Sequence, residues 1–178
     1  KPIDIDELAR KINEAVKKAQ ENNAEEKTKE DVPDAALSIN VMIVDDEEDL
    51  LDSLQRIFTR RKINTVTASS GPKALELLEH GLVDVMVLDV KMPVMDGLEV
   101  LKIVKKKYPS IQVIMLSGHP SVEAALNGVR LGASEYLKKP PDIDRLVETI
   151  RNLYRQRQAI IEEQQRKLIE DIKQRYTD

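Results

Sequence analysis

Runs of apolar residues alternate, along the middle of the chain, with segments in which apolar residues recur at helical spacing. The runs at residues 39–44, 83–88 and 111–116 are almost wholly apolar, as expected of strands that are covered on both faces. Residues 64–68 predict a weaker strand nearer a sheet edge, and residues 135–137 predict a short final strand. The alternation favours a parallel sheet whose strands are joined by crossover helices.

Amphipathic segments between the strands predict four helices, and the segment after Pro140 predicts a fifth. The apolar positions that share a helical face are Leu50, Leu51, Leu54, Ile57 and Phe58; Ala74, Leu75, Leu77 and Leu78; Leu98, Leu101 and Val104; and Val122, Ala125, Leu126 and Val129. The predicted fold is therefore α/β, a doubly wound five-stranded parallel sheet. Because such sheets bind ligands at the carboxyl ends of their strands, functional side chains should follow each apolar run.

Helical extensions flank this central domain, which we expect to cover residues 39–158. An apolar stripe at Ile5, Leu8, Ile12 and Val16 predicts a helix over residues 1–20, and the polar, charged residues 21–38 are typical of a linker. After Asp142 no Pro or Gly interrupts the chain. One helix from Asp142 to near Tyr176 would be roughly 50 Å long, so residues 159–178 should project as a signalling or coiled-coil extension.

The N-terminal helix repeats the start of the C-terminal one. Residues 1–20 align without gaps on residues 139–158, and both copies contain Lys-Pro-x-Asp-Ile-Asp-x-Leu. We interpret residues 1–20 as the remnant of a preceding domain of the same kind. The first residue is Lys1 and not Met, which suggests that the sequence is a piece of a longer protein.

The composition excludes several function classes. Cysteine is absent, which rules out disulfides, a thiol nucleophile and a thiolate zinc site. The net charge of -4 gives no general attraction to nucleic acid or to an anionic membrane, so neither is an expected partner. No apolar run approaches the roughly 20 residues of a membrane span. We expect a soluble, cytoplasmic protein.

Acidic residues follow two of the predicted strands. Asp45 and Asp46 end the first apolar run, and Asp89 ends the run at residues 83–88. If the two strands are neighbours, three carboxylates meet in one crevice, and their hard oxygen atoms suit Mg²⁺. The acidic residues that follow the first pair are best explained as helix-start charges: Glu47, Glu48 and Asp49.

The last two strands add a hydroxyl and an ammonium group. Ser117 follows the run at residues 111–116, and Lys139 follows the final strand. Taken singly, Ser117 would be a helix cap and Lys139 a solvated charge. Beside three carboxylates, they complete a site for phosphoryl transfer to a carboxylate.

At these residues the chain resembles the receiver domain of two-component response regulators. The resemblance extends over residues 39–158 and rests on motifs, in the family's order, at residues 44–47, 88–97, 116–118 and 136–140. It implies a flavodoxin-like (CheY-like) strand order of 2-1-3-4-5. It also implies that Asp89 is the phosphoacceptor and that Asp45, Asp46 and Asp89 bind Mg²⁺ (or Mn²⁺), with the backbone carbonyl of Lys91 as a further ligand.

The resemblance assigns three more roles. Ser117 would be the switch hydroxyl, and Tyr136 would be the switch aromatic residue. Lys139, and not Lys138, would contact the phosphoryl group, because Pro140 follows it. The Lys139–Pro140 bond would be cis.

The family likeness implies a signalling domain that is not an enzyme but assists its own phosphorylation and dephosphorylation. The phosphoryl group would come from a histidine kinase or a histidine phosphotransfer protein. The switch would change the face formed by the fourth helix, fifth strand and fifth helix, and it would drive homodimerisation or a missing output domain. Two alternatives stay open: a phosphorelay or phosphate-sink module without a fixed output, and a receiver relic used only for assembly.

Overall fold

The sheet has the predicted topology. The computed structural model describes residues 38–118 and 122–175, and within them the strands are β1 (Asn40–Val44), β2 (Asn64–Ala68), β3 (Val85–Asp89), β4 (Gln112–Ser117) and β5 (Glu135–Lys138). All neighbouring strands are parallel, in the order β2-β1-β3-β4-β5. This confirms both the fold class and the strand order.

The predicted strand bounds shift slightly toward the carboxyl edge. Ile39, Val83 and Ile111 are buried but precede the ladder, whereas Asp89 and Ser117 are the last residues of their strands. Buried apolar residues precede each of these strands, so an apolar run alone does not locate the first residue of the strand. Strand β2 pairs with β1 alone and is largely exposed on one face, as predicted for an edge strand.

Five helices connect or follow the strands in the described part of the chain. They are α1 (Glu48–Arg60), α2 (Gly71–Leu78), α3 (Gly97–Lys107), α4 (Val122–Arg130) and α5 (Ile143–Arg175). Side-chain caps fix two of the starts: Ser70 accepts a hydrogen bond from the Lys73 N–H, and Asp96 accepts one from the Glu99 N–H. The core side chains of α1 and α2 come from the predicted apolar faces. In α3, Leu101 and Val104 are buried as predicted, and Val100, which lies outside the predicted face, is buried with them.

Helix α4 departs from the predicted face. Leu126 and Val129, which the pattern places on its apolar face, are 53% and 62% exposed. Of the helix residues 125–130, whose burial the structure describes, Gly128 is the buried one, and a Cβ added there would lie 3.6 Å from Tyr136 Cδ2. In this part of α4, Gly128 therefore faces the domain, and the side chains of Leu126 and Val129 face outward.

Helix α5 continues far beyond the core, as predicted. It has 33 residues, and its buried side chains are Leu146, Val147, Ile150 and Leu153. Arg157 marks the end of the contact: its guanidinium lies 2.8 Å from Oδ1 of Asp84 and donates to the Ser110 carbonyl. Beyond Arg157, Ile161 is half-buried, and the other large apolar side chains are exposed: Ile160, Leu168, Ile169 and Ile172.

The predicted N-terminal helix (residues 1–20) and, apart from Ser38, the linker (residues 21–38) lie outside the described residues. Among the described helices, none is both long enough and apolar enough to span a bilayer.

Candidate metal and phosphoacceptor site

Strands β1 and β3 bring three carboxylates to one edge of the sheet. Val44 pairs with Leu88 in the parallel register, so Asp45, directly after β1, lies beside Asp89, the last residue of β3. Asp45 and Asp89 are buried, while Asp46 is exposed. One carboxylate oxygen from each of the three residues lies within 4.8 Å of the others. The structure thus places all three sequence-predicted carboxylates in one cluster.

Lys139 joins this cluster from the end of β5. Its backbone N–H donates to the Ser117 carbonyl at 2.8 Å, and the following peptide bond to Pro140 is cis, as expected. Its Nζ lies 2.6 Å from Asp45 Oδ2 and 3.0 Å from Asp89 Oδ1. The ammonium therefore bridges the tips of β1 and β3, whereas the side chain of Lys138 is exposed.

The pKa values of Asp89 and Lys139 reflect this burial and pairing. Burial raises the pKa of the Asp89 carboxyl, and the charges of Asp45 and Asp46 raise it further, against the opposing effect of Lys139. Burial alone would lower the pKa of Lys139. The close carboxylates of Asp45 and Asp89 outweigh that effect, so the pKa of Lys139 lies above its ordinary value.

The carboxylate cluster fits a small divalent cation. Asp45 Oδ2 is buried and lies close to Lys139 Nζ, but no donor among the described residues meets it with hydrogen-bonding geometry. Such an oxygen has a lone pair left for a ligand, and the cluster offers only hard oxygen atoms, which Mg²⁺ prefers. Lys91 lies in the loop directly after β3 with its side chain exposed, and the ligand role of its carbonyl stays a prediction.

The loop between β3 and α3 depends on a glycine beside the site. The Gly97 N–H donates to the Val90 carbonyl at 2.9 Å. A Cβ at Gly97 would lie 2.0 Å from the carbonyl oxygen of Asp89. Only glycine allows the first turn of α3 to approach the backbone of Asp89 this closely.

Ser117 and Tyr136 lie on the strands beyond the carboxylates. Ser117 is the buried last residue of β4, and Asp89 pairs with its neighbour Leu116. Tyr136 on β5 is half-buried against the core, and its buried hydroxyl has no hydrogen-bond partner in the part of the chain that the structure describes. Their switch roles stay predictions; both residues lie on the two strands, β4 and β5, that follow β3 in the sheet.

Glu47 belongs to the site, although the sequence pattern assigned it to the start of a helix. It is the N-cap residue of α1, yet its side chain makes no capping hydrogen bond. Its Oε1 instead lies 3.2 Å from Nζ of Lys139. The available signal was the residue type, because glutamate is not among the preferred N-cap residues. Glu48 and Asp49 do lie in the first turn of α1, as expected.

A doubly wound sheet with an acidic cluster and a lysine at its carboxyl edge defines the receiver class of signalling domains. The family model "Response regulator receiver domain" matches residues 41–151, which is more than half of the chain. The chain therefore belongs to the receiver-domain family of two-component response regulators.

Relatives and solved structures agree with this assignment. The chain is 39% identical, over 111 residues, to the putative response regulator NtrX-like of Rickettsia bellii; the match covers 61% of this chain and 23% of that protein. The chain thus spans about a quarter of the length of this curated relative. The Francisella response regulator 1452 receiver domain has a TM-score of 0.64 and 34% identity, with 67% of this chain and 98% of that chain covered.

A third similar protein was solved with a ligand. Response regulator TrrA from Thermotoga maritima, in complex with Mg(2+)-BeF, has a TM-score of 0.59 and 29% identity. The match covers 65% of this chain and 98% of that chain.

Proposed function

We propose that this domain is a phosphorylation-dependent switch that accepts a phosphoryl group on Asp89 from a histidine kinase or a histidine phosphotransfer protein. The observation that carries the proposal is the convergence of Asp45, Asp46, Asp89 and Lys139 at the carboxyl edge of the sheet. Asp89 is the nucleophile because it is the buried carboxylate at the tip of the central strand β3.

Asp45, Asp46 and Asp89 would hold Mg²⁺ or Mn²⁺, together with the backbone carbonyl of Lys91. The cation would supply charge neutralisation at the phosphoryl oxygens. The donor set supports this assignment, since four carboxylates, counting Glu47, face one ammonium. A site with this surplus of negative charge favours a divalent cation.

In the transfer step, an Asp89 carboxylate oxygen forms a bond to phosphorus while the P–N bond of the donor phosphoimidazole breaks. The imidazole nitrogen leaves with the bonding electron pair. The Lys139 ammonium donates a hydrogen bond to a phosphoryl oxygen and stabilises its developing charge. Water later cleaves the acyl phosphate and regenerates the Asp89 carboxylate. No separate substrate is turned over, so the domain assists its own modification and is not otherwise an enzyme.

The phosphorylated state would be read by Ser117 and Tyr136. The Ser117 hydroxyl would turn toward the new phosphoryl group and donate a hydrogen bond to it. The Tyr136 side chain would then move into the space that the Ser117 side chain leaves. The buried hydroxyl of Tyr136 makes no hydrogen bond among the described residues, so this conformation lacks one polar interaction that would hold the ring in place. The switch is a shift in the relative populations of the unphosphorylated and phosphorylated conformations.

Labelling of the protein by acetyl phosphate tests the proposed function. Intact-mass measurement is expected to show the gain of one phosphoryl group in the presence of Mg²⁺. The gain should disappear with EDTA, because the acidic cluster then has too much negative charge to admit the donor. Labelling that proceeds equally well in EDTA would contradict the metal assignment, and no labelling with Mg²⁺ would contradict the proposed function.

We further propose that the switch is read out by dimerisation, through the C-terminal half of α5 or the face formed by α4, β5 and α5. Both surfaces carry exposed apolar side chains: Leu126 and Val129 on α4, and Leu168 and Ile172 on α5. Ile161, Leu168 and Ile172 share one narrow face of the helix, at spacings of seven and four residues.

Mass measurement in solution, with and without beryllofluoride, tests this output. The mass is expected to rise from monomer to dimer with beryllofluoride. Leu168→Glu should lower the dimer fraction, whereas Ile160→Glu, also exposed but off the face, should not. A mass that never changes would contradict dimerisation and favour the phosphorelay module.

A further inference from the structure

Three carboxylates surround the Lys139 ammonium in this structure. An ammonium group has three N–H donors, and three carboxylates lie within reach: Asp45 at 2.6 Å, Asp89 at 3.0 Å and Glu47 at 3.2 Å. An incoming phosphoryl oxygen must therefore compete with these carboxylates for Lys139.

The three partners differ in how easily they can be displaced. The side chains of Asp45 and Asp89 are 1% and 5% exposed, whereas that of Glu47 is 65% exposed. Releasing a buried carboxylate would leave its charge unpaired away from water, but a released Glu47 carboxylate is simply hydrated. Glu47 is the partner that the ammonium can exchange.

The backbone of Glu47 is anchored while its side chain is free to leave. Its N–H donates to Asp45 Oδ1 at 3.1 Å, and its carbonyl accepts from Leu50 and Leu51 in the first turn of α1. Its carboxylate makes no cap for that helix. Breaking the contact between Glu47 and Lys139 therefore removes no capping hydrogen bond from α1.

We propose that Glu47 is a positioning residue that competes with the phosphoryl group for Lys139 and so limits the rate at which Asp89 is phosphorylated. In the unphosphorylated site, Glu47 holds one donor of the ammonium. When the phosphoryl group arrives, its oxygen takes that donor and Glu47 turns to solvent. This inference rests on the proposed function of Asp89 and adds a determinant of its rate.

The rate of phosphorylation by phosphoramidate, followed by intact mass at several donor concentrations, tests the competition. Because the contact is largely exposed, Glu47→Gln is expected to raise the rate at low donor concentration by about two- to fivefold. The gain should come mainly from a lower half-saturating concentration of phosphoramidate. Glu48→Gln is the matched control, since it removes the same charge from the next residue, which is exposed and lies in the first turn of α1.

A second variant separates competition from simple repulsion of the anionic donor. Glu47→Asp keeps the charge but shortens the side chain by one methylene, so its carboxylate should no longer reach Lys139. Competition predicts that Glu47→Asp is accelerated like Glu47→Gln. A wild-type rate in Glu47→Asp, or equal rates in Glu47→Gln and Glu48→Gln, would overturn the proposal while leaving phosphorylation of Asp89 intact. Failure of the wild type to be labelled at all would instead overturn the proposed function.

Discussion

Replacing Asp89 with Asn is expected to abolish labelling by acetyl phosphate. The amide has nearly the shape of the carboxylate, but it lacks the anionic oxygen that forms the bond to phosphorus. The substitution should not unfold the domain. Because burial raises the pKa of Asp89, ionising this carboxyl group costs more free energy in the folded protein than in the unfolded chain. We therefore expect an unchanged or higher melting temperature for the neutral amide.

Asp96→Asn is the matched control for this variant. Asp96 is a second carboxylate in the β3–α3 connection, but it is exposed and caps α3 through the Glu99 N–H. Asparagine caps helices as well as aspartate does, so labelling and stability should both be retained. Labelling that survives in Asp89→Asn, or that is lost in Asp96→Asn, would show that the phosphoacceptor lies elsewhere.

Gly97→Ala is expected to cause the largest loss of stability among single substitutions near the site. The added methyl group would lie 2.0 Å from the Asp89 carbonyl oxygen and 3.0 Å from Val90 Cα. Both neighbours are backbone atoms that cannot rotate away, so α3 must shift relative to β3. We expect the free energy of unfolding to fall by about 3 kcal/mol, the upper part of the usual range for overpacking.

Urea denaturation would measure this loss, with Gly118→Ala as the control. No described residue has an atom within 4 Å of a Cβ added at Gly118, so this substitution should change the stability by less than about 1 kcal/mol. The Gly97→Ala protein should also be labelled more slowly by acetyl phosphate, because the shift moves Asp89. Equal stability of the two variants would mean that α3 does not pack against the Asp89 backbone as described.

The strands that are buried on both faces could be predicted from the sequence. Strands β1, β3 and β4 are covered on both faces, so their sequences are continuous apolar runs and their positions could be read directly. The predicted cluster followed from topology, because the tips of neighbouring parallel strands must meet at one edge. Asp45 and Asp89 needed only the correct strand order to be placed together.

The features that sequence patterns missed depend on packing between elements. Helical spacing identifies the apolar face of α4 but not its rotation, which the close approach of Gly128 to Tyr136 determines. The ion pair of Arg157 with Asp84 joins residues 73 positions apart. Glu47 was read as a helix-start charge because nothing local indicates that its side chain reaches Lys139 on a distant strand.

The most direct test of the central claim is to locate the phosphoryl group on the chain. After labelling with acetyl phosphate and Mg²⁺, borohydride reduction converts an aspartyl phosphate to homoserine, and peptide mapping identifies the residue. The account predicts a single modified position, Asp89. Modification at Asp45, Asp46 or any other residue, in place of Asp89, would contradict it.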